Sequence, residues 1–405
     1  MQWVKAAEAY YLNRALQGEG PPLFDSRYVK WKSAHPGTQG DQAEIRQFLE
    51  DSSQSMRRAM AALEAGRLPA AHRTGYVLRA YWVSAQASPL SDYRQTMPFR
   101  VYVPSSYDRA KRWPVLIHMH GTGGTEAFGQ PQREAAEAAG FLFVGVTGGG
   151  RYRRGTLIGD HDIWSVIDSL AHTHSIDPDR IFLAGSSLGA WNAWAIGMKS
   201  PDLFAGISPM WGMYYPGIEL ARNNTNLPVY LINGSCDFMN GVYCGRVPFK
   251  LLTEMGLGES KLTEYPGGGH CAGSRAFVDL LDWCGPLRRD PDPRRVVFST
   301  FNPQRWDHSY WVRIDALRAI GPAGTVEAAL HEGNRLEART ENVIALTLQL
   351  TSGHVDRAQS ITVILDGKRA YQGSWRKQVS LRMKPDAHGG VAAWTVDDTV
   401  QGRDG

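Results

Sequence analysis

A doubly wound, mostly parallel α/β sheet is the fold the sequence predicts, and three observations predict it. Short continuous apolar runs such as Pro114-Val115-Leu116-Ile117-His118-Met119 have the character of strands buried on both faces of a parallel sheet. Such runs alternate with helix-compatible stretches over the middle of the chain, the pattern of repeated β-α-β units. At Arg180 to Trp191 one apolar run passes directly into Gly185-Ser186-Ser187-Leu188-Gly189 and then into a helix-compatible stretch. That is strand, sharp turn, helix, with a serine at the apex of a G-x-S-x-G pattern.

The elements follow in order. Residues 1–75 read as a helical N-terminal segment, Val4 to Leu16 and Asp41 to Gly66, interrupted by Gly20-Pro21-Pro22 and Pro36-Gly37. Val77–Val83 and Met97–Val103 are β-rich and separated by a polar turn, which predicts an antiparallel pair. The strand at Pro114–Met119 leads into His120-Gly121-Thr122-Gly123-Gly124. A helix at Gln132–Ala139, a strand at Phe141–Val146, a loop at Thr147–Gly150 and a helix at Asp162–His172 precede the serine strand. Strands at Ala205–Met210, Pro228–Asn233 and Lys261–Tyr265 follow it, with helices at Val247–Met255 and Ala272–Trp283. Right-handed crossovers place the loops after the strand C-termini on one edge, where open α/β sheets hold their sites. Residues 76–288 therefore form the α/β domain. Beyond Asp290-Pro291-Asp292-Pro293 only short β runs remain, and residues 289–405 are expected to form a small all-β domain, a sandwich, trailing into a polar tail from Val391.

Bulk properties exclude several classes. Of the 405 residues 43% are hydrophobic and 21% charged, an ordinary globular balance. A formal net charge of +4 is too mild to argue for nucleic acid. No apolar run reaches the length of a membrane span. No signal-peptide h-region opens the chain. Cys236, Cys244, Cys271 and Cys284 match no zinc-ligand spacing, and nothing in the chain calls for a metal or cofactor. Four cysteines confined to one region predict disulfides and an oxidising compartment, so a secreted or periplasmic location is expected, with a cytoplasmic one as the alternative.

The chemistry converges on Ser187. Gly185 and Gly189 flank it at minus two and plus two, whereas Ser186 would need glycines where Ala184 and Leu188 stand. A serine hydroxyl needs a base to take its proton, and the base needs a third group to fix its tautomer. The strand at Pro228–Asn233 ends in Gly234-Ser235-Cys236-Asp237, which puts Asp237 on a strand-end loop. The last strand opens into Pro266-Gly267-Gly268-Gly269-His270, and His270 is the sole histidine between Asp237 and the domain boundary. Nucleophile, acid and histidine thus follow in the order expected for this fold. The oxyanion donors are expected at the Leu188 N–H and at Thr122 or Gly123 in the His120 loop. His120, Arg151, Trp164 and Trp211 are candidate substrate contacts near the cleft, while Trp191 and Trp194 are expected in the core.

These residues resemble the α/β-hydrolases of the esterase, polyhydroxybutyrate-depolymerase and feruloyl-esterase-like group, which overlaps the prolyl-oligopeptidase-like hydrolases. Phe99-Arg100-Val101-Tyr102-Val103-Pro104, Ser175-Ile176-Asp177-Pro178-Asp179-Arg180-Ile181 and Pro201-Asp202-Leu203-Phe204-Ala205-Gly206 match its style, over about half the chain. The resemblance implies a serine carboxylic-ester hydrolase working through an acyl-enzyme on a small-molecule or polymeric ester. A prolyl-oligopeptidase-like peptidase and a catalytically silent binding protein are the alternatives. It also brings a Cys236–Cys271 bridge between acid and base loops to the fore, with Cys244–Cys284 as the complement, among three connectivities open to four cysteines. The oligomeric state is left open.

Overall fold

A computed structural model describes residues 74–83, 95–122, 124–146, 157–214, 217–271, 275–385 and 391–397. The expected helices of residues 1–75 and the loop at 147–150 lie outside the described residues, as do Gly123 and Arg151.

Eight strands make the first sheet: β1 (Gly75–Val83), β2 (Gln95–Val103), β3 (Trp113–Met119), β4 (Leu142–Val146), β5 (Ile176–Ser186), β6 (Gly206–Met210), β7 (Val229–Gly234) and β8 (Ser260–Tyr265). They lie in the order β1-β2-β4-β3-β5-β6-β7-β8. β1 and β2 are antiparallel, with Gly75 opposite Val103 and Val83 opposite Gln95. From β4 across to β8 every neighbouring pair is parallel. All residues of β3, β4, β6 and β7 are buried, which is why these strands read as unbroken apolar runs.

Among the described residues five helices cover the sheet: α1 (Gln130–Ala139), α2 (Leu157–Thr173), α3 (Leu188–Lys199), α4 (Tyr243–Glu254) and α5 (Arg275–Cys284). Alternation along the strands divides the core in two. Val115, Ile117 and Leu183 pack with Ile163 and Val166 of α2 and Trp194 of α3. Leu116, Phe143 and Phe182 pack on the other face with Ala136 of α1 and Phe277 of α5. Trp194 is fully buried, and a side chain of that size contributes about 3 kcal/mol or more.

Ten strands follow: β9 (Arg295–Thr300), β10 (His308–Ser309), β11 (Val312–Leu317), β12 (Gly324–His331), β13 (Arg335–Glu341), β14 (Val343–Gln349), β15 (Ile361–Leu365), β16 (Lys368–Gly373), β17 (Gln378–Pro385) and β18 (Val391–Val396). They form two five-stranded sheets, β10-β11-β14-β17-β18 and β16-β15-β13-β12-β9. Phe298, Val326 and Val363 of one sheet share a core with Ile314, Leu346 and Leu381 of the other, so the sheets form a sandwich. Pairing is antiparallel except between β13 and β15. One expectation changes here: part of the tail, Val391–Val396, is a strand paired with β17. In β13, Leu336 and Ala338 face the core between exposed or half-buried charged residues.

The sandwich is docked on the α/β unit. Asn223 lies in a 3-10 helix (Ile218–Asn226), and its side-chain amide donates to Ser299 O at 2.9 Å and accepts from Ser299 N at 2.7 Å. A side chain thereby completes the hydrogen bonding of edge strand β9, which would otherwise present unpaired backbone groups.

Candidate active site

β5 delivers the chain to Ser187, whose backbone (φ 56°, ψ −113°) lies where side chains other than glycine are strained. Its N–H donates to Met210 O at the end of β6, at 2.9 Å, and α3 begins at the next residue. The elbow is tight enough to dictate Gly189, where an added Cβ would lie 2.1 Å from Met119 O. The loop after β3 sits against the serine as well: a Cβ on Gly121 would come within 3.1 Å of Ser187 Cβ and 3.8 Å of its Oγ. Ser186 is placed differently. It is buried, and its Oγ lies 2.9 Å from Nε2 of His118, a buried ring between Phe143 and Phe277. Burial, and secondarily His120, push the His118 pKa down to about 3, so this ring is neutral at physiological pH.

Asp237 follows β7 on a short loop, and its side chain is fully buried. One carboxylate oxygen accepts from the backbone N–H groups of Met239 at 2.9 Å and Asn240 at 3.0 Å. The other lies 2.8 Å from His270 Nδ1. With an acceptor at Nδ1, that nitrogen carries the proton and Nε2 keeps its lone pair. Nε2 is shielded from solvent and has no hydrogen-bond partner among the described residues. Asn240 ties this loop to the elbow region, its side chain donating to Trp211 O, one residue before Gly212, whose added Cβ would lie 2.8 Å from Ser187 O.

Hydrogen bonds, not disulfides, brace the acid and base loops. Cys236 N donates to Gly268 O at 2.8 Å, Ser235 N to Tyr265 O at 2.9 Å, and Gly267 N to Ser235 Oγ at 2.8 Å. All four cysteines are free thiols: Cys236 and Cys271 are exposed, Cys244 and Cys284 buried. The expected Cys236–Cys271 and Cys244–Cys284 bridges are therefore corrected. Cys244 donates its S–H to Asn240 O inside the acid loop, and Cys284 packs among Leu280, Leu281 and Ala276 in the core. With no bridge, the cysteines no longer speak for an oxidising compartment.

The remaining candidates divide. Leu188 is buried as the first residue of α3, and Thr122 is exposed in the loop after β3. His120 is half-buried, its Nδ1 2.6 Å from Gly121 O, and Trp164 is half-buried on α2. Trp211, expected at the cleft, is only 1% exposed and belongs to the core, so its ring offers no surface to a ligand. Sequence reasoning missed His118. A single histidine inside an apolar run carries no signal until the β3–β5 register sets it opposite Ala184, two residues from Ser186. Among the described residues no group of three or more His, Cys, Asp or Glu side chains is arranged to hold a metal, and no helix is long and apolar enough to cross a membrane.

The strand order and the helix-covered parallel sheet define an α/β-hydrolase fold, and residues 159–284 match the family model described as phospholipase/carboxylesterase. That match lies within the α/β unit and agrees with the resemblance to esterase-like α/β-hydrolases read from the sequence. A stretch of 53 residues is 38% identical to poly(3-hydroxyalkanoate) depolymerase C of Paucimonas lemoignei, covering 13% of this chain and 13% of that protein. Among solved structures, a thermostable esterase is similar at 20% identity and a TM-score of 0.42, over 52% of this chain and 63% of that one. The acylaminoacyl peptidase of Pyrococcus horikoshii is similar at 14% identity and 0.44, over 54% and 43%. Est1E of Butyrivibrio proteoclasticus is similar at 13% identity and 0.40, over 51% and 98%.

Proposed function

We propose that the chain is a serine carboxylic-ester hydrolase with Ser187 as nucleophile, His270 as general base and Asp237 as the group that orients the base. The observation that carries this reading is the 2.8 Å contact between His270 Nδ1 and Asp237, with Nε2 left without a partner. The strained backbone of Ser187 adds support, since a strained apex presents the hydroxyl away from the sheet. In this mechanism Ser187 Oγ attacks the ester carbonyl while its proton passes to His270 Nε2. The oxyanion is held by the N–H of Leu188 and that of Thr122 or Gly123. Collapse breaks the bond to the leaving alcohol, which takes the proton from His270. Water, deprotonated by the same nitrogen, then attacks the acyl-enzyme and releases the acid.

Residues 76–288 serve as the catalytic unit and 289–405 as a sandwich domain docked on it. The substrate class is a carbohydrate-linked ester, or a polyester or short-chain ester. The segment similar to a poly(3-hydroxyalkanoate) depolymerase supports the second group. So do Phe238, 87% exposed, and Met239, 62% exposed, apolar side chains next to the acid that water alone would not favour.

The test compares p-nitrophenyl acetate and butyrate with Gly-Pro-p-nitroanilide, using the wild type and Ser187→Ala. Ester hydrolysis abolished in Ser187→Ala supports the proposal. Cleavage of the anilide alone replaces it with a peptidase, and ester activity surviving in the variant removes Ser187 as nucleophile.

A further inference from the structure

A cleft of about 630 Å³ opens where the sandwich meets the α/β unit, away from the Ser187 elbow in sequence and built from different elements. Asp202 comes from the α/β side and Arg289 from the junction between the two parts. Tyr310, Gln349, Trp375 and Gln378 come from the sandwich. The volume lies in the range of small-molecule sites.

The seam holds the cleft in shape. Arg289 donates to Asp202 O and to Asp179 Oδ1, at 2.8 and 2.7 Å, and Tyr310 N donates to Asp202 Oδ2 at 3.1 Å. Tyr310 takes a left-handed backbone, φ 52°, to make that contact. On the sandwich side Gln349 N is bound to Trp311 O and Leu350 N to Lys377 O, both at 2.8 Å.

Against this fixed frame, several polar groups stand without partners. Gln349 and Gln378 are directly opposite in the β14–β17 ladder, which sets their side chains on one face about 5 Å apart at Cβ. Neither amide makes a hydrogen bond within the described residues, so two donor–acceptor pairs stand side by side. Trp375, three residues before Gln378, is half-buried, and its Nε1–H is shielded from solvent with no hydrogen-bond partner among the described residues.

The chemistry of the lining selects among ligands. An acyl chain or lipid is a poor match, because amides and charges interleave with the rings. A polyanion gains little, since Arg289 is already bound to Asp179, Arg357 is stacked 4.5 Å over Trp375, and the remaining lining lysine, Lys377, shares the cleft with Asp202 and Asp292. A ligand with flat apolar faces and many hydroxyls fits both features: one such face displaces the Arg357 guanidinium from the Trp375 ring, and the paired planar amides take vicinal hydroxyls. We propose that the cleft between the sandwich and the α/β unit, with Trp375, Gln349 and Gln378, is a binding site for neutral oligosaccharides. It anchors a sugar chain independently of the hydrolytic site and does not rest on the ester-hydrolase reading.

The experiment is calorimetric titration of the full chain with cellohexaose, xylohexaose and maltohexaose, each to about 10 mM, the weak end of measurable affinity. These sugars carry no ester, so turnover cannot mask binding. Trigalacturonic acid serves as the charged comparison. Saturable binding of at least one neutral hexasaccharide is expected, weakened roughly tenfold in Trp375→Ala and severalfold in Gln349→Ala. Gln349 is exposed, so its variant keeps the test valid if Trp375→Ala fails to fold, as judged by circular dichroism. No binding of any neutral hexasaccharide, binding of trigalacturonic acid alone, or binding equal to wild type in a folded variant would overturn the proposal.

Discussion

His270 Nδ1 meets Asp237 Oδ2 at 2.8 Å, while the second oxygen of the same carboxylate is held by the N–H groups of Met239 and Asn240. The two backbone donors make an amide at this position readable in advance. In Asp237→Asn the side-chain oxygen stays with the two N–H groups, and the NH2 turns toward His270. Nδ1 must then become the acceptor, so the proton moves to Nε2 and the base loses its lone pair. Because the fold keeps its shape, the expected result is a drop in kcat of about 10^4-fold with KM nearly unchanged. A kcat within about tenfold of wild type on p-nitrophenyl acetate would remove Asp237 from the mechanism.

His118 makes a prediction about acid stability. Its folded pKa, pushed to about 3 by burial, lies below the ordinary 6.5, so the folded chain binds fewer protons than the unfolded chain between those values. Its contribution is therefore complete above about 6.5 and declines as pH falls, with a slope of roughly 1.4 kcal/mol per pH unit. Burial also lowers His354, which acts in the same sense. His308 is raised by its bond to Asp307 and acts oppositely, its stabilisation being lost as pH rises through its folded pKa. Urea unfolding from pH 6.5 to 4 should show a slope shallower by about one proton in His118→Gln than in wild type. Equal slopes would mean that His118 is not buried in its neutral form.

Much of this site was legible because its residues are tied to strand ends. Gly185, Gly189 and Ser187 announce a tight apex through spacing alone, and each parallel strand delivers its last residues to one edge, so Asp237 and His270 could be placed by order. What escaped depends on register or on weak side chains. His118 meets Ser186 only through the pairing of β3 with β5. β13 buries little more than Leu336 and Ala338, too small a signal among Arg335, Glu337, Arg339 and Glu341. The cysteines misled because adjacency to Asp237 and His270 in sequence says nothing about where sulfur atoms point; Gly267 and Gly268 approach closely enough to brace the loops through Ser235 Oγ and Cys236 N.

The thiols can be counted. Denatured, unreduced protein should titrate with Ellman's reagent for all four cysteines. In the native state Cys236 should react first. Cys271 should lag, because its desolvated surroundings and then the Asp237 carboxylate push its thiol up to about 11, and the thiolate is the reactive form. Cys244 and Cys284 should stay silent until unfolding. A count of two in the denatured, unreduced chain would reinstate one bridge.

Asn223 supplies the sharpest test of the domain seam. It is 1% exposed, and its amide group serves Met198 O at 2.6 Å as well as both backbone groups of Ser299. Asn223→Ala strands one buried N–H and two buried carbonyls, and unsatisfied groups cost about 1–3 kcal/mol each before relaxation and water entry reduce the sum. A net loss of about 2–4 kcal/mol is expected, which lowers Tm by roughly 5–10 °C and separates the melting of the sandwich from that of the α/β unit. Asn223→Asp keeps the acceptor for Ser299 N but cannot donate to either carbonyl, and it buries a charge, so it should be no better tolerated than alanine. Scanning calorimetry of the three proteins decides the matter: a single transition within about 1 °C of wild type in Asn223→Ala would show that this amide does not join the two parts.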